Sequence, residues 1–153
     1  MKTEKKSEKM NTFKKLCRMH GLRITPQRTI IYKELIRAKN HPSVEMLYKK
    51  VRKSFPNISF DTVYRTAISF AEIGLVRVVE GWGDPKRFDS NISPHHHFRC
   101  IKCNKIVDFN YVPFDELAVP EQLRRRFVIT RKRVILEGLC EQCRNRKDKE
   151  GRK

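Results

Sequence analysis

SFDTVYRTAISFAEIGLVRVV, residues 59–79, contains the start, the apolar stripe and the stop of one helix, followed by a short strand. Ser59 predicts the N-cap, and Asp61 suits the positive N-terminal end of the helix dipole. Apolar side chains recur at helical spacing at Val63, Ala67, Phe70 and Ala71. Gly74 fits the C′ position, and the branched residues after it predict a strand over residues 75–79.

The residues around this segment complete a winged helix-turn-helix pattern. Residues 81–85 have turn chemistry, and residues 87–89 predict the returning strand of a hairpin. An apolar stripe over residues 13–20, followed by a glycine, predicts a first helix, and Thr25 and Ser43 are the expected caps of two more. Helices followed by a short hairpin are typical of winged-helix proteins, in which the last helix enters the DNA major groove.

The outward face of that last helix is small and polar. The side chains left off the apolar stripe are Thr62, Arg65, Thr66 and Ser69, with Tyr64 beside them. Such a face can contact base edges in DNA, or it can be an ordinary solvated surface. Periodicity alone leaves both interpretations open.

The second half of the chain predicts a small unit that mixes helix and strand. Its predicted elements are strands over residues 97–99, 106–109 and 127–136 and a helix within residues 114–126. Leu117 and Leu123 are expected to face inward, and Pro120 interrupts that helix. A sheet with one open face could pair with a second copy of the chain. The predicted fold class is therefore α+β.

The chain is strongly basic, and its charge is concentrated at the two ends. It has 35 Lys and Arg against 17 Asp and Glu, a formal charge of +18 over 153 residues. Half of that charge lies in residues 1–20 and 144–153. The ends are either solvated, partly disordered tails or contacts for a polyanion. Charge alone does not separate DNA, RNA and an anionic membrane surface.

The sequence excludes a membrane-spanning protein and a secreted one. No window approaches 18 uninterrupted apolar residues, and the first ten residues have no apolar run. A cytoplasmic protein is therefore expected. In that reducing setting, five cysteines indicate metal or redox chemistry before a disulfide framework.

Four of the cysteines form two Cys-x-x-Cys pairs, Cys100 with Cys103 and Cys140 with Cys143, separated by 36 residues. Four thiolates make a closed tetrahedral zinc site, with no position left for water or substrate, so a structural zinc is predicted. Two redox dithiols are the weaker alternative. Cys17 lies on the apolar stripe of the first helix and is expected to be a small buried side chain.

A second metal site is predicted around the histidine run at residues 95–97. Strand alternation places His95 and His97 on one face and His96 on the other. The other candidate donors are His41, Asp89 and Asp108. Mixed nitrogen and oxygen ligands suit ferrous iron, manganese or zinc better than copper(I).

Two other classes of protein compete with a DNA-binding regulator. A zinc enzyme needs an open coordination position and a general base, and the chain has no H-E-x-x-H or H-x-E motif. An RNA-binding zinc module would show exposed aromatic rings, whereas Phe60, Phe70, Phe88 and Phe109 occupy patterned positions that predict burial. Neither rival predicts duplex binding that depends on ferrous or manganous ion.

Taken in order, several segments resemble the ferric uptake regulator family of bacterial metal-dependent repressors. They are GLRITPQR (21–28), HPS (41–43), DTVYR (61–65), EIGLV (72–76), RFD (87–89), HHHFRCIKCNKIVDF (95–109) and GLCEQC (138–143). The resemblance implies a winged-helix DNA-binding domain with a basic extension (1–86), an α/β dimerisation and metal-binding domain (87–143) and a basic tail (144–153). It also implies a homodimer and a structural zinc on the four paired cysteines.

The resemblance further implies a regulatory iron or manganese site that controls DNA binding. Its implied ligands are His41, Asp89, His95, His97 and Asp108. The expected partner is a palindromic operator in double-stranded DNA, with no membrane and no organic cofactor. The residues expected to contact DNA are Arg23, Thr62, Tyr64, Arg65, Thr66 and Ser69.

Within the family, two kinds of signal compete. Members that sense peroxide resemble this chain at Asp108, where iron-responsive members usually carry glutamate. The resemblance to peroxide sensors implies iron-catalysed oxidation of a ligand, with His41 and His95 as targets. The alternative is an iron-responsive, or other metal-responsive, repressor of metal uptake genes. The peroxide sensor would not be an enzyme, because each protein would be oxidised once. Residues 130–133 lack the histidines that bind an auxiliary metal in some members.

Overall fold

The computed structural model describes residues 2–79 and 85–150, with side chains for residues 7–79 and 85–146. The chain divides into two compact units, Met1–Ile92 (unit 1) and Ser93–Lys153 (unit 2). In chain order the elements are α1 (Lys2–Met19), α2 (Pro26–Arg37), α3 (Val44–Val51), α4 (Phe60–Glu72), β1 (Arg77–Val79), β2 (Arg87–Asp89), β3 (His96–Cys100), β4 (Ile106–Phe109), α5 (Val112–Asp115), α6 (Glu121–Arg126), β5 (Ile135–Gly138) and α7 (Glu141–Glu150). The α+β class is confirmed.

The predicted turn residues 81–84, with Trp82, lie outside the described residues.

The predicted caps begin and end the helices of unit 1. Thr25, Ser43 and Ser59 precede α2, α3 and α4, and each hydroxyl accepts a hydrogen bond from the backbone N–H three residues later, at 3.1 to 3.3 Å. Gly21 and Gly74 follow α1 and α4 with φ of +65° and +76°, a left-handed conformation that glycine adopts without strain.

Three aromatic rings in mutual contact attach α1 to the rest of unit 1. The ring of Phe13 lies parallel to that of Tyr32, with centroids 4.9 Å apart, and meets Phe70 edge-on at 5.7 Å. All three residues are buried, and Cys17 packs in the same core, as predicted. Because Phe70 belongs to α4, this core connects the first helix to the buried face of the fourth.

Both basic ends contain more helix than expected. α1 begins at Lys2, so the basic N-terminal extension is part of the first helix. α7 continues to Glu150, so residues 144–150 are helical where a partly disordered tail was an alternative. No helix within the described residues is long and apolar enough to cross a membrane.

The hairpin of unit 1 is antiparallel and places Val78 opposite Phe88. β2 completes this hairpin, so residues 87–89 pack with the helices of unit 1. The division between the units accordingly falls after Ile92, whereas the sequence placed the boundary after residue 86.

Unit 2 contains a three-stranded sheet in the order β4-β3-β5. β3 pairs with β4 antiparallel and with β5 parallel. The prediction of a strand over residues 127–136 was wrong at its start, because β5 spans only Ile135–Gly138. β5 pairs with β3 from Ile135 onward, and the His97 N–H also donates to the Val134 carbonyl at 3.2 Å, so the paired segment begins only at residue 134. Val128 is 91% exposed as a result.

The predicted helix within residues 114–126 is two short helices, α5 and α6. Proline explains the break, because Pro120 lacks an N–H and disfavours helical backbone at the residue before it. Leu117 lies between the helices and Leu123 lies on α6, and both are exposed rather than facing inward.

Candidate metal centres

Four cysteines of unit 2 converge at one end of the sheet. Cys100 ends β3, Cys103 lies in the turn before β4, and Cys140 and Cys143 lie at the start of α7. Their sulfur atoms all lie within 4.8 Å of one another, and the sulfurs of Cys103 and Cys140 are 3.7 Å apart. Sulfurs bound at 2.3 Å to a tetrahedral zinc ion lie about 3.8 Å from one another. The cluster therefore fits zinc.

Parallel strand pairing brings the two cysteine pairs together across the 36 residues that separate them. In the β3–β5 register Cys100 lies opposite Gly138, and Gly138 is two residues before Cys140. The N–H of Ile101 donates to the Gly138 carbonyl at 2.9 Å. Asn104 closes the first turn with φ of +56°. The sequence showed the spacing of the thiols, and the parallel β5 explains how so long a gap is closed.

The cysteine cluster favours the thiolate at Cys100 and disfavours it at Cys143. The Cys140 N–H donates to Cys100 Sγ at 3.3 Å. Backbone N–H groups of Cys140 and Cys103 lower the pKa of the Cys100 thiol, although its burial opposes this. Burial, followed by contacts with the other three thiols, raises the pKa of Cys143. A divalent cation compensates the charge of four thiolates, so ionisation of all four is coupled to metal binding.

His95, His97 and Asp108 form a second donor group, also within unit 2. His95 Nε2 and His97 Nε2 lie 2.9 Å apart. Asp108 Oδ1 lies 3.3 Å from His97 Nε2 and 3.6 Å from His95 Nε2. The sheet register explains the contact, because His97 on β3 faces Asp108 on β4.

The tautomer of His95 follows from its second nitrogen. His95 Nδ1 lies 2.8 Å from the carbonyl oxygen of Ser93, which can only accept a hydrogen bond. Nδ1 therefore carries the proton, and the lone pair of Nε2 is directed toward His97. This orientation is the one that histidine needs in order to ligate a metal through Nε2.

His96 lies on the opposite face of β3, as strand alternation predicts. Its Nε2 is 3.2 Å from Asp115 Oδ1, and its Nδ1 accepts a hydrogen bond from the Val134 N–H at 3.2 Å. The rings of Phe109 and Phe114 flank it with centroids 5.5 Å away. His96 thus packs and orders unit 2. The sequence did not indicate Asp115 as its partner.

His41 and Asp89 form a third donor group, within unit 1. His41 Nε2 is 3.8 Å from Asp89 Oδ1, and the two residues are only 5% and 4% exposed. Asp89 ends β2, and its Oδ1 accepts a hydrogen bond from the Asn91 N–H at 2.7 Å. The second and third donor groups both offer imidazole nitrogen and carboxylate oxygen. These donor atoms suit ferrous iron, manganese or zinc.

The residues predicted to contact DNA differ in their exposure. Arg23, Tyr64 and Arg65 are exposed. Thr66 is 8% exposed, so the outward orientation predicted for it is not observed. Thr66 precedes Ala67 on α4 and turns with it toward the core.

Two further hydroxyls on α4 are half-buried and already hydrogen-bonded. Thr62 Oγ1 lies 2.8 Å from the hydroxyl of Ser59, and Ser69 Oγ donates to the Arg65 carbonyl at 2.9 Å. The burial predicted for Phe60 was also wrong. Phe60 is 41% exposed and packs edge-on against Tyr48, because it is the first residue of α4.

Comparison with known proteins adds the family context. Residues 19–136 match the sequence profile of the Ferric uptake regulator family. The chain is 39% identical over 127 residues to the Peroxide-responsive repressor PerR of Staphylococcus epidermidis, covering 83% of this chain and 85% of that repressor. Its fold is similar to that of the Helicobacter pylori ferric uptake regulator Fur, with a TM-score of 0.70, 21% identity and coverage of 90% and 93% of the two chains. It is also similar to the Campylobacter jejuni peroxide stress regulator, with a TM-score of 0.64, 28% identity and coverage of 84% and 97%.

Proposed function

The chain belongs to the ferric uptake regulator family, and on that premise we propose that this metal-dependent transcriptional repressor senses peroxide. The observation that carries the proposal is the convergence of His95, His97 and Asp108 in unit 2. The similarity to a peroxide-responsive repressor over most of the chain supports the same signal. An aspartate has a short side chain, so it can hold a metal while leaving one coordination position open to peroxide.

Two kinds of metal site have distinct roles. The four cysteines hold a structural zinc ion that stabilises unit 2. The proposed ligands of a regulatory ferrous or manganous ion are His41, Asp89, His95, His97 and Asp108. His41 and Asp89 belong to the DNA-binding unit, so an ion that also takes ligands from unit 2 favours one arrangement of the dimer for binding DNA. The metal acts by its higher affinity for that arrangement.

Ferrous iron held by these residues would activate peroxide by one-electron chemistry, which manganese does not perform readily, with no net change in the iron over the whole step. In the proposed reaction a ring carbon of His41 or His95 gains one oxygen atom from hydrogen peroxide, and the second oxygen leaves as water. The ring loses two electrons and the peroxide gains two, so the step balances. The oxidised ring is a poor ligand, and repression ends when the metal is lost. Each protein reacts once, so this is not enzyme turnover.

Family repressors bind DNA as dimers, and we propose a palindromic operator for this chain. Two α4 helices placed about one DNA turn apart would match the two half-sites. Tyr64 and Arg65 are the proposed base or backbone contacts on α4, with Arg23 ahead of α2. Thr62 and Ser69 lie beside them, whereas the burial of Thr66 argues against its direct contact.

Fluorescence anisotropy with a palindromic duplex selected by the manganese-loaded protein tests the proposal. Both manganese and ferrous iron should raise DNA affinity, and a brief dose of peroxide should abolish binding only for the iron-loaded protein. If DNA binding is lost after peroxide but added metal fully restores it, the result would instead favour an iron-responsive repressor. Equal affinity with and without metal would contradict metal-dependent repression.

A further inference from the structure

Arg87 is bound to the loop that carries His41. Its Nε donates to the carbonyl oxygen of His41, and its Nη2 donates to that of Asn40 at 3.0 Å. The N–H of the next residue, Phe88, donates to the Pro42 carbonyl at 3.0 Å. Arg87 and Phe88 therefore bind three successive carbonyl groups, so β2 is attached to the loop between α2 and α3.

The backbone of His41 needs such support. Its φ is +46°, a left-handed conformation that is uncommon for residues other than glycine and persists only where the surroundings enforce it. The carbonyls of Asn40 and His41 belong to the two peptide planes on either side of the His41 Cα. Because one guanidinium group binds both carbonyls, it fixes both backbone torsions of His41.

The same strand also carries the second donor of unit 1. Asp89 follows Arg87 by two residues on β2, so the two side chains lie on the same face of the strand. Ser43 forms an isolated antiparallel bridge with Arg87, which extends the contact to the residue that caps α3. The loop and β2 thus form one block in which His41 Nε2 and Asp89 Oδ1 lie 3.8 Å apart.

We propose that Arg87 is a positioning residue for the regulatory metal, which fixes the backbone of His41 so that His41 and Asp89 are presented together. This inference rests on the proposed function. Arg87 does not ligate the metal, and it acts through the His41 backbone. Partners that orient metal ligands typically contribute 10–100-fold to metal affinity, so the Arg87→Met variant should bind manganese at least 10-fold more weakly.

The experiment measures manganese affinity by calorimetry on the zinc-loaded full chain, for the wild type and for Arg87→Met, Arg87→Lys and Lys39→Met. Lys39→Met is the matched control, because Lys39 is an exposed cation beside the same loop. It should retain wild-type affinity. Arg87→Lys has one ammonium group in place of the planar fork and should fall between the wild type and Arg87→Met. Manganese affinity within twofold of the wild type in both Arg87 variants would overturn the proposal.

A second readout separates positioning from direct DNA contact. At saturating manganese, Arg87→Met should bind the selected duplex with wild-type affinity and an unchanged salt dependence. A lasting loss of DNA affinity with a shallower salt slope would overturn the proposal and identify Arg87 as a phosphate contact.

Hydrogen exchange in the manganese-free protein gives a readout independent of the metal. The Phe88 amide should exchange faster in Arg87→Met than in Lys39→Met, and equal protection would contradict the role of Arg87. Zinc content and circular dichroism report whether each variant is folded. If the wild type binds manganese without any change in DNA affinity, the proposed function fails, but the effect of Arg87 on manganese affinity remains measurable.

Discussion

His95 Nε2, from the residue just before β3, and His97 Nε2 on β3 lie 2.9 Å apart. Two nitrogens bound at about 2.1 Å and at right angles to each other around an ion would be about 3.0 Å apart, so the pair has the spacing of neighbouring metal ligands. The carbonyl of Ser93 orients the first ring, and the pairing of β3 with β4 places Asp108 beside the second. This half of the proposed sensor is therefore built by the β3–β4 pair and the residues just before β3.

Replacing Asp108 by glutamate tests whether the length of this carboxylate sets peroxide sensitivity. The Asp108→Glu variant should keep metal-dependent DNA binding but lose it several-fold more slowly under peroxide, because the longer side chain can reach further around the ion. The measurement is the decay of duplex binding by the iron-loaded protein. Asp115→Glu is the matched control, because Asp115 contacts His96 on the opposite face, and it should decay like the wild type. If duplex binding by Asp108→Glu decays at the wild-type rate, Asp108 does not set the peroxide sensitivity.

Removing one thiol tests the zinc site. Cys100→Ser should lose zinc and dissociate into monomers, because Cys100 is buried and belongs to the four-cysteine cluster that stabilises unit 2. Metal analysis and light scattering measure both effects. Cys17→Ala should keep zinc and the dimer, since Cys17 lies in the core of unit 1. A fully dimeric, zinc-loaded Cys100→Ser protein would contradict the assignment.

The exposed arginine of α4 tests the DNA interface. Arg65→Ala should weaken duplex binding by about 1–3 kcal/mol if Arg65 contacts a guanine, or lower the salt slope by about one if it contacts a phosphate. Manganese and zinc uptake should not change. Arg144→Ala removes an equal charge from an exposed position in unit 2 and serves as the control. Wild-type affinity in Arg65→Ala would exclude Arg65 from the interface.

The N-cap of α4 offers a prediction about stability. The Ser59 hydroxyl accepts a hydrogen bond from the Thr62 N–H at 3.1 Å, so Ser59→Ala should lower the free energy of unfolding by about 1 kcal/mol. Urea denaturation measures this change. Ser54→Ala, at an exposed turn position, should stay within about 0.5 kcal/mol of the wild type. An equal loss of unfolding free energy in both variants would argue against a capping role for Ser59.

Features that depend on local chemistry could be predicted from the sequence. The caps at Thr25, Ser43 and Ser59 and the glycine stop at Gly74 each act within one helical turn, and each is observed. The alternation of His95, His96 and His97 is equally local. These features were enough to predict where α2, α3 and α4 begin and that His96 points away from His95 and His97.

Features that depend on long-range contacts could not be predicted from the sequence. Residues 127–133 have the branched composition of a strand, but the pairing with β3 does not extend to them. Leu117 and Leu123 have the spacing of an inward face, but two helices shorter than seven residues leave both exposed. Arg87 was not singled out, because its contacts are with backbone carbonyls about 46 residues earlier in the chain. Sequence spacing carries no signal for such a contact.

Peptide mass spectrometry after peroxide treatment tests the central claim, that a ligand histidine is oxidised. The zinc-loaded protein is given ferrous iron without air, then a brief dose of peroxide, beside a manganese-loaded control. Cleavage after Lys and Arg yields the peptides 40–49, with His41, and 88–99, with His95. Met46 lies in the first peptide, so fragment ions must assign each added oxygen to a single residue. We predict one added oxygen on His41 or His95 in the iron-loaded sample only. Loss of DNA binding with no added oxygen on either histidine, and with binding restored by fresh iron, would contradict the account.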